Sequence, residues 1–126
     1  MKTAIVLSGG GAKGAYQIGF WKAIRELKIN YDIVCGTSIG ALNGAFMVQG
    51  NYTDAFKLWY FMDYKKVIND KIEGSYYDSK TRKKIILKYA KGVIKGGLNV
   101  PGLEKIVSDN LNYDLFYNSN VDYGLV

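Results

Sequence analysis

Two short stretches of this 126-residue sequence could carry chemistry: Gly36-Thr37-Ser38-Ile39-Gly40 and Ser8-Gly9-Gly10-Gly11. The first fits G-x-S-x-G, in which a serine projects from a sharp strand-to-helix turn and presents its hydroxyl as a nucleophile. Such a turn crowds the residues two before and two after the serine, so both must be small; Gly36 and Gly40 occupy those places. The following helix aims unpaired N–H groups and the positive end of its dipole at the serine, which stabilises an oxyanion forming there. Acyl transfer needs further donors for that oxyanion. Gly9, Gly10 and Gly11 would expose backbone N–H groups with no side chain in the way. With the N–H of Ile39 they are the candidate donors.

Read alone, the first turn admits other chemistry. Gly9-x-Gly11-x-x-Gly14 satisfies the spacing of a dinucleotide-binding turn, so an oxidoreductase domain holding a nicotinamide-type cofactor is an alternative. That fold also wants an acid at the carboxyl end of the second strand to hold the ribose. Asp32 has roughly the right separation but precedes Ile33-Val34, at the wrong end. A phosphate-binding P-loop needs Lys-Ser/Thr after its last glycine, whereas Ala15-Tyr16 follow Gly14. A tight turn with no ligand is the plainest alternative.

Composition narrows the choice. Histidine is absent, which removes the commonest general base and zinc ligand, and the lone Cys35 forms no disulfide within the chain. Proton transfer must then use carboxylate, lysine or tyrosine, and neither metal nor cofactor is expected. Hydrophobic residues at 48% and charged residues at 22% describe an ordinary folded domain. The net charge of +6 favours an anionic partner such as a lipid surface or a phosphorylated ligand. No apolar run approaches the ~18 residues of a membrane span. Ala4 to Leu7 is too short for the core of a signal peptide, which makes a cytoplasmic location the expectation.

The elements that must position these residues read clearly at first. Thr3–Leu7 is a short buried strand; Tyr16, Phe20, Ala23, Ile24 and Leu27 recur at helical spacing; Asn30 is a stop signal. Tyr31–Cys35 is a second strand, Ser38–Val48 a helix rich in small residues, and Thr53 caps a third helix facing inward with Ala55, Leu58, Trp59 and Met62. Strand, helix, strand, helix is the pattern of a parallel sheet with covering helices, an α/β fold, whose sites lie at the carboxyl ends of the strands. Both glycine turns fall there. Cys35 is expected to be buried beneath the serine turn, and Trp21 and Trp59 to serve packing. Downstream, Ser79–Lys91 reads as a basic helix, Gly92–Gly102 as loop, Leu103–Leu111 as a short helix, and Asp122–Val126 as a strand beginning.

The two turns together, with their flanks Ala15-Tyr16-Gln17-Ile18-Gly19 and Ala41-Leu42-Asn43-Gly44-Ala45, resemble the patatin-like phospholipase family. That family carries G-G-G-x-R/K-G after its first strand and G-T-S-x-G soon after; this chain reads Gly9-Gly10-Gly11-Ala12-Lys13-Gly14 and Gly36-Thr37-Ser38-Ile39-Gly40. Lys13 stands where arginine is commoner and keeps the charge without the bidentate fork. The resemblance implies a three-layer α/β/α domain, a lipid or acyl-ester substrate, and a Ser–Asp dyad in which the aspartate takes the serine proton. It places that aspartate in a D-G-G or D-G-A motif far downstream. Asp122-Tyr123-Gly124 is the nearest form, with the wrong middle residue, and is read as structural. The expectation is that residues 1–126 are the N-terminal portion of one such domain, without its base, and inactive alone.

Lys80, Arg82, Lys83, Lys84, Lys88, Lys91 and Lys95 carry seven positive charges with no acid between them. A solvated helix face is one reading; attraction to an anionic membrane, either for a lipid-cleaving enzyme or as a non-catalytic docking module, is the other. Nucleic acid is not expected, since no recognition module accompanies the charge.

Overall fold

The structure is a computed structural model that describes residues 1–62, 78–80 and 101–126, with backbone alone for residues 101–104. The chain divides into two compact units, Met1–Phe61 with Val107–Val126, and Met62–Ile106. Its elements are β1 (Ala4–Leu7), a 3-10 turn (Gly11–Lys13), α1 (Gly14–Glu26), β2 (Ile33–Gly36), α2 (Ile39–Val48), α3 (Tyr52–Phe61), α4 (Pro101–Asn110), α5 (Tyr113–Tyr117) and β3 (Asp122–Leu125).

The three strands form one parallel sheet in the order β1-β2-β3. Leu7 lies level with Gly36, and Gly36 with Leu125, so the carboxyl ends are flush. The turns leaving β1 and β2 are therefore neighbours on one edge, about 5 Å apart at their strand ends. This is the expected α/β architecture.

Alternation along the strands separates two faces. Ile5, Leu7 and Val34 are buried on the face that meets α2, while Val6 on the other face is 76% exposed. Parallel β-α-β crossovers are right-handed, and a sheet growing steadily in one direction puts its helices on one side. The described helices α1, α2 and α3 accordingly pack together over one face, and the second helical layer of the expected α/β/α sandwich is not among the described residues.

Helix α2 is apolar nearly all round and is buried from Leu42 to Val48, as such a helix must be. Its small residues permit that depth: a Cβ on Gly44 would stand 3.0 Å from the Val34 side chain and 3.2 Å from the Tyr123 ring. Phe46 and Trp21 are among the largest fully buried side chains. Both ends of α2 are tied down. The Tyr123 hydroxyl donates to the Ala41 carbonyl at 2.7 Å, and the Tyr31 hydroxyl to the Met47 carbonyl at 3.1 Å. Gln49 follows the helix and is buried; its Nε2 donates to the Asn110 carbonyl, and its Oε1 accepts from the Asn112 N–H.

Several sequence expectations are corrected here. Helix α1 buries Gly14, Ile18, Trp21 and Ile24, so of the expected stripe only Ile24 faces inward; Tyr16 is 83% exposed, and Phe20 and Leu27 are exposed too. The apolar spacing was real on both sides of this helix, and packing selected the side with the glycine and the tryptophan. Helix α1 ends before Asn30, at a Schellman turn in which Lys28 takes φ 54° and the Ile29 N–H reaches the Ile24 carbonyl at 2.9 Å. Helix α3 is capped by Asn51, whose Oδ1 accepts the Asp54 N–H at 3.2 Å, rather than by Thr53. Helix α4 begins at Pro101 instead of Leu103, because proline suits a first helical position where no N–H bond is needed. Cys35 is half-buried on the open face beside β3, with its Sγ 2.9 Å from where a Cβ on Gly124 would sit, and not under the serine turn.

Candidate active site

The serine turn is held by backbone contact. The Thr37 N–H donates to the Leu7 carbonyl at 3.1 Å, and the Gly40 N–H closes back on the Thr37 carbonyl at 2.9 Å. A Cβ on Gly36 would lie 2.5 Å from the Gly40 carbonyl carbon, and one on Gly40 would lie 2.7 Å from the Ser8 carbonyl oxygen. No side chain fits at either place. Between them Ser38 is exposed and takes φ 53°, ψ −123°, a region that costs a non-glycine residue on the order of 1–3 kcal/mol. It is one of two described non-glycine residues with positive φ, and the other, Lys28, merely ends a helix.

The glycine turn lies against this serine. A Cβ on Gly9 would stand 3.3 Å from Ser38 Cβ and 4.0 Å from Ser38 Oγ. Gly10 and Gly11 take φ 156° and φ 55° and are exposed, and Gly11 has open space around it. Among the described residues, no hydrogen bond uses the N–H of Gly9, Gly10, Gly11 or Ile39. The two turns that meet at Gly9 and Ser38 thus carry four backbone N–H groups without a described partner. Lys13 closes the 3-10 turn by donating its N–H to the Gly10 carbonyl at 3.2 Å, and its side chain lines Gly10. Gly14 is the seat of Trp59: a Cβ there would be 2.6 Å from the indole and 2.8 Å from Ile39.

Behind the glycine turn runs a polar chain that the sequence reading did not find. The Trp59 Nε1–H donates to Asn43 Oδ1 at 2.8 Å; Asn43 Nδ2 donates to Gln17 Oε1 at 2.7 Å and to the Gly14 carbonyl at 3.0 Å; Gln17 Nε2 donates to the Ser8 carbonyl at 2.7 Å. Asn43 is 1% exposed. Its sequence signal was a lone amide inside an apolar helix, a group that must find partners when buried.

No described aspartate joins Ser38. Asp122 is paired with Ile33 at the amino end of the sheet, about 10 Å along the strand from the level of Gly36, and its carboxylate meets Lys2 Nζ at 3.2 Å. That position keeps it away from Ser38. Asp32 accepts the Thr3 N–H at 2.7 Å, also at the amino end, so it cannot serve a ribose beside the glycine turn, and the dinucleotide reading fails on position. Among the described residues no three Cys, Asp or Glu side chains converge as metal ligands would. Of the basic stretch, Lys80 is helical and exposed; Arg82, Lys83, Lys84, Lys88, Lys91 and Lys95 lie outside the described residues. No described helix is long and apolar enough to cross a membrane.

Comparison with known proteins bears on the same stretch. The chain is similar to lysophospholipase nte1 of Aspergillus terreus, 58% identical over 45 residues, 36% of this chain and 3% of that protein. It is 61% identical over 41 residues to neuropathy target esterase sws of Drosophila melanogaster, 32% of this chain and 3% of that protein. It is 50% identical over 46 residues to patatin-like phospholipase domain-containing protein 7 of Rattus norvegicus, 36% of this chain and 3% of that protein. These matches thus span about 3% of the length of the curated relatives. No solved structure gives a significant match. The family model for patatin-like phospholipase matches residues 5–118, nearly the whole chain, and the chain belongs to the patatin-like phospholipase family.

Proposed function

We propose that the protein is a lipid acyl hydrolase in which Ser38 is the nucleophile. The observation that carries this reading is the contact of the two turns: the strained, exposed Ser38 stands against Gly9, and the N–H groups of Gly9, Gly10, Gly11 and Ile39 in those turns have no described partner. In this reading Ser38 Oγ attacks the acyl carbonyl of a lipid ester and its proton passes to an aspartate. The carbonyl oxygen becomes an oxyanion held by those N–H groups, which are fixed before the reaction and need no reorganisation. The alcohol departs with the proton, water attacks the acyl–Ser38 ester, and a fatty acid is released. Every step uses protein groups and water alone. None of the described aspartates stands beside Ser38, and Asp63 and Asp70 lie outside the described residues. Acylation and deacylation both need that base, so on the reading that residues 1–126 lack it they turn over no ester alone. Robust turnover by residues 1–126 would mean that the base lies among them.

Family membership supports the lipid substrate, as do the relatives named as lysophospholipase and esterase. The net charge of +6, with Lys80 exposed, supports attraction of the enzyme to an anionic membrane surface where such substrates lie. A fluorophosphonate probe applied to the intact protein tests the nucleophile. Ser38 should be labelled and Ser38→Ala should not; equal labelling of the two would end the proposal.

A further inference from the structure

We propose that Gln17, Asn43 and Trp59 form a one-directional hydrogen-bonded brace that sets the aim of the glycine turn, with Asn43 as its centre. The proposal rests on the reading of that turn as the oxyanion site. Lys13 reaches the turn through its own backbone N–H and the apolar part of its side chain, and no described hydrogen bond joins its ammonium to the turn.

The direction of the brace follows from donor counting. An indole N–H can only donate. The Asn43 atom facing Trp59 at 2.8 Å must therefore be its oxygen. That turns the Asn43 amide nitrogen toward Gln17 and the Gly14 carbonyl, and both of its protons are spent there, at 2.7 and 3.0 Å. Gln17 must then present its oxygen to Asn43, which leaves its nitrogen to donate to the Ser8 carbonyl at 2.7 Å. Each amide is oriented by the one before it, and the first is fixed by a group that cannot reverse. The Ser8 carbonyl shares its peptide plane with the Gly9 N–H, so holding that oxygen holds the direction of the first candidate oxyanion donor.

The placement couples the two turns. Asn43 lies on α2, the helix that Ser38 caps, and Gln17 lies on α1, the helix that the glycine turn opens. One buried side chain thus references the donors to the same helix that carries the nucleophile. Gly11 needs this most, because it takes positive φ with nothing within 4 Å of where a Cβ would sit, and Gly10 meets only the Lys13 side chain. Leaving a buried amide such as Asn43 half-satisfied would be costly, so the chain forms as a unit.

Gln17, Asn43 and Trp59 are positioning residues and do not touch the reacting atoms. Two variants of the intact protein separate the brace from ordinary packing. Gln17→Leu removes the bond to Ser8. Asn43→Asp removes both donors, so Gln17 must reverse its amide and turn oxygen toward the Ser8 carbonyl. With p-nitrophenyl butyrate as substrate, both variants should lower kcat on the order of 10–100-fold while KM stays within about twofold. Backbone ¹⁵N relaxation should show the order parameters of Gly9, Gly10 and Gly11 falling from a rigid value near 0.85 toward roughly 0.6, with those of β1 and β2 unchanged. Unchanged glycine order parameters in both variants overturn the brace whatever the activity does. Mobile glycines with unchanged kcat overturn its role in positioning donors. If the unmodified protein neither hydrolyses the ester nor is labelled at Ser38, the hydrolase reading falls, and the relaxation measurement still decides the brace.

Discussion

The turn after β1 and the turn after β2 leave the same edge of the same sheet, and both are glycine-rich, yet they are held in opposite ways. At the serine turn glycine is required for space. Gly36 and Gly40 press against Gly40, Ser8 and Leu7 backbone, and that pressure holds Ser38 at φ 53°. At the glycine turn, glycine is required for conformation. Gly10 and Gly11 take positive φ, Gly10 against the Lys13 side chain alone and Gly11 with nothing within 4 Å, and side chains on α1, α2 and α3 form a hydrogen-bonded chain behind the turn. A nucleophile must be forced out of the chain and kept there, and steric closure does that. On the proposed reading the glycine N–H groups are oxyanion donors, which must face an open space where substrate arrives and so can be restrained only from the side away from it.

The largest expected effect breaks the steric half. Gly40→Ala places a methyl 2.7 Å from the Ser8 oxygen and 2.8 Å from the Leu7 carbonyl carbon, and should cost at least about 3 kcal/mol in urea unfolding. Gly11→Ala, with nothing within 4 Å but φ 55°, should cost only about 1 kcal/mol. Equal costs would erase the distinction between the turns. Next, Trp59→Phe keeps the ring over Gly14 but leaves Asn43 Oδ1 without its donor, at a cost of about 1–2 kcal/mol by the same measurement.

The third prediction has the opposite sign. Ser38→Gly relaxes the strained backbone and should raise stability by about 1 kcal/mol, whereas Ser38→Ala keeps the strain and gains nothing. Both should abolish fluorophosphonate labelling. A destabilised Ser38→Gly would show that the turn stores no strain.

The smallest effect concerns the tyrosines that tie α2 in place. Burial raises the pKa of Tyr31 and Tyr123 above the ordinary 10.0, and for Tyr31 it outweighs the opposing hydrogen bond with Trp21 and the Arg25 charge. Because the folded-state values are raised, the unfolded chain ionises first. The stability these phenols contribute is intact below about pH 10 and is lost as pH rises toward the folded-state values. Tyr123→Phe should cost about 1 kcal/mol at pH 7, for the lost bond to the Ala41 carbonyl, and should flatten the alkaline fall in Tm. An unaltered alkaline profile in the Tyr31→Phe, Tyr123→Phe double variant would mean that other groups govern it.

Much of this was legible in the residues themselves. Gly36-Thr37-Ser38-Ile39-Gly40 after a β-branched run specifies a tight strand-to-helix turn, because no other residue fits where its carbonyls pass. The apolar runs Ala4–Leu7 and Ile33–Val34, separated by a helix, specify parallel neighbours, since a crossover of that length returns right-handed beside its start. What periodicity could not choose was the buried side of α1. Tyr16, Phe20 and Leu27 make as good a stripe as Ile18, Trp21 and Ile24, and only contact with α2 and α3 separated them.

By itself, then, the sequence determined local geometry: where the backbone must bend, which residue is thrust outward, and which strands run side by side. These follow from sterics over a few neighbouring residues. Only the tertiary structure decided that Gly9 meets Ser38, that Asp122 pairs with Ile33 at the far end of the sheet, and that Trp59 reaches the Ser8 carbonyl through Asn43 and Gln17. Those contacts join residues from 9 to 29 positions apart or more, and a buried amide reveals its partners only when packing has removed water from every other choice.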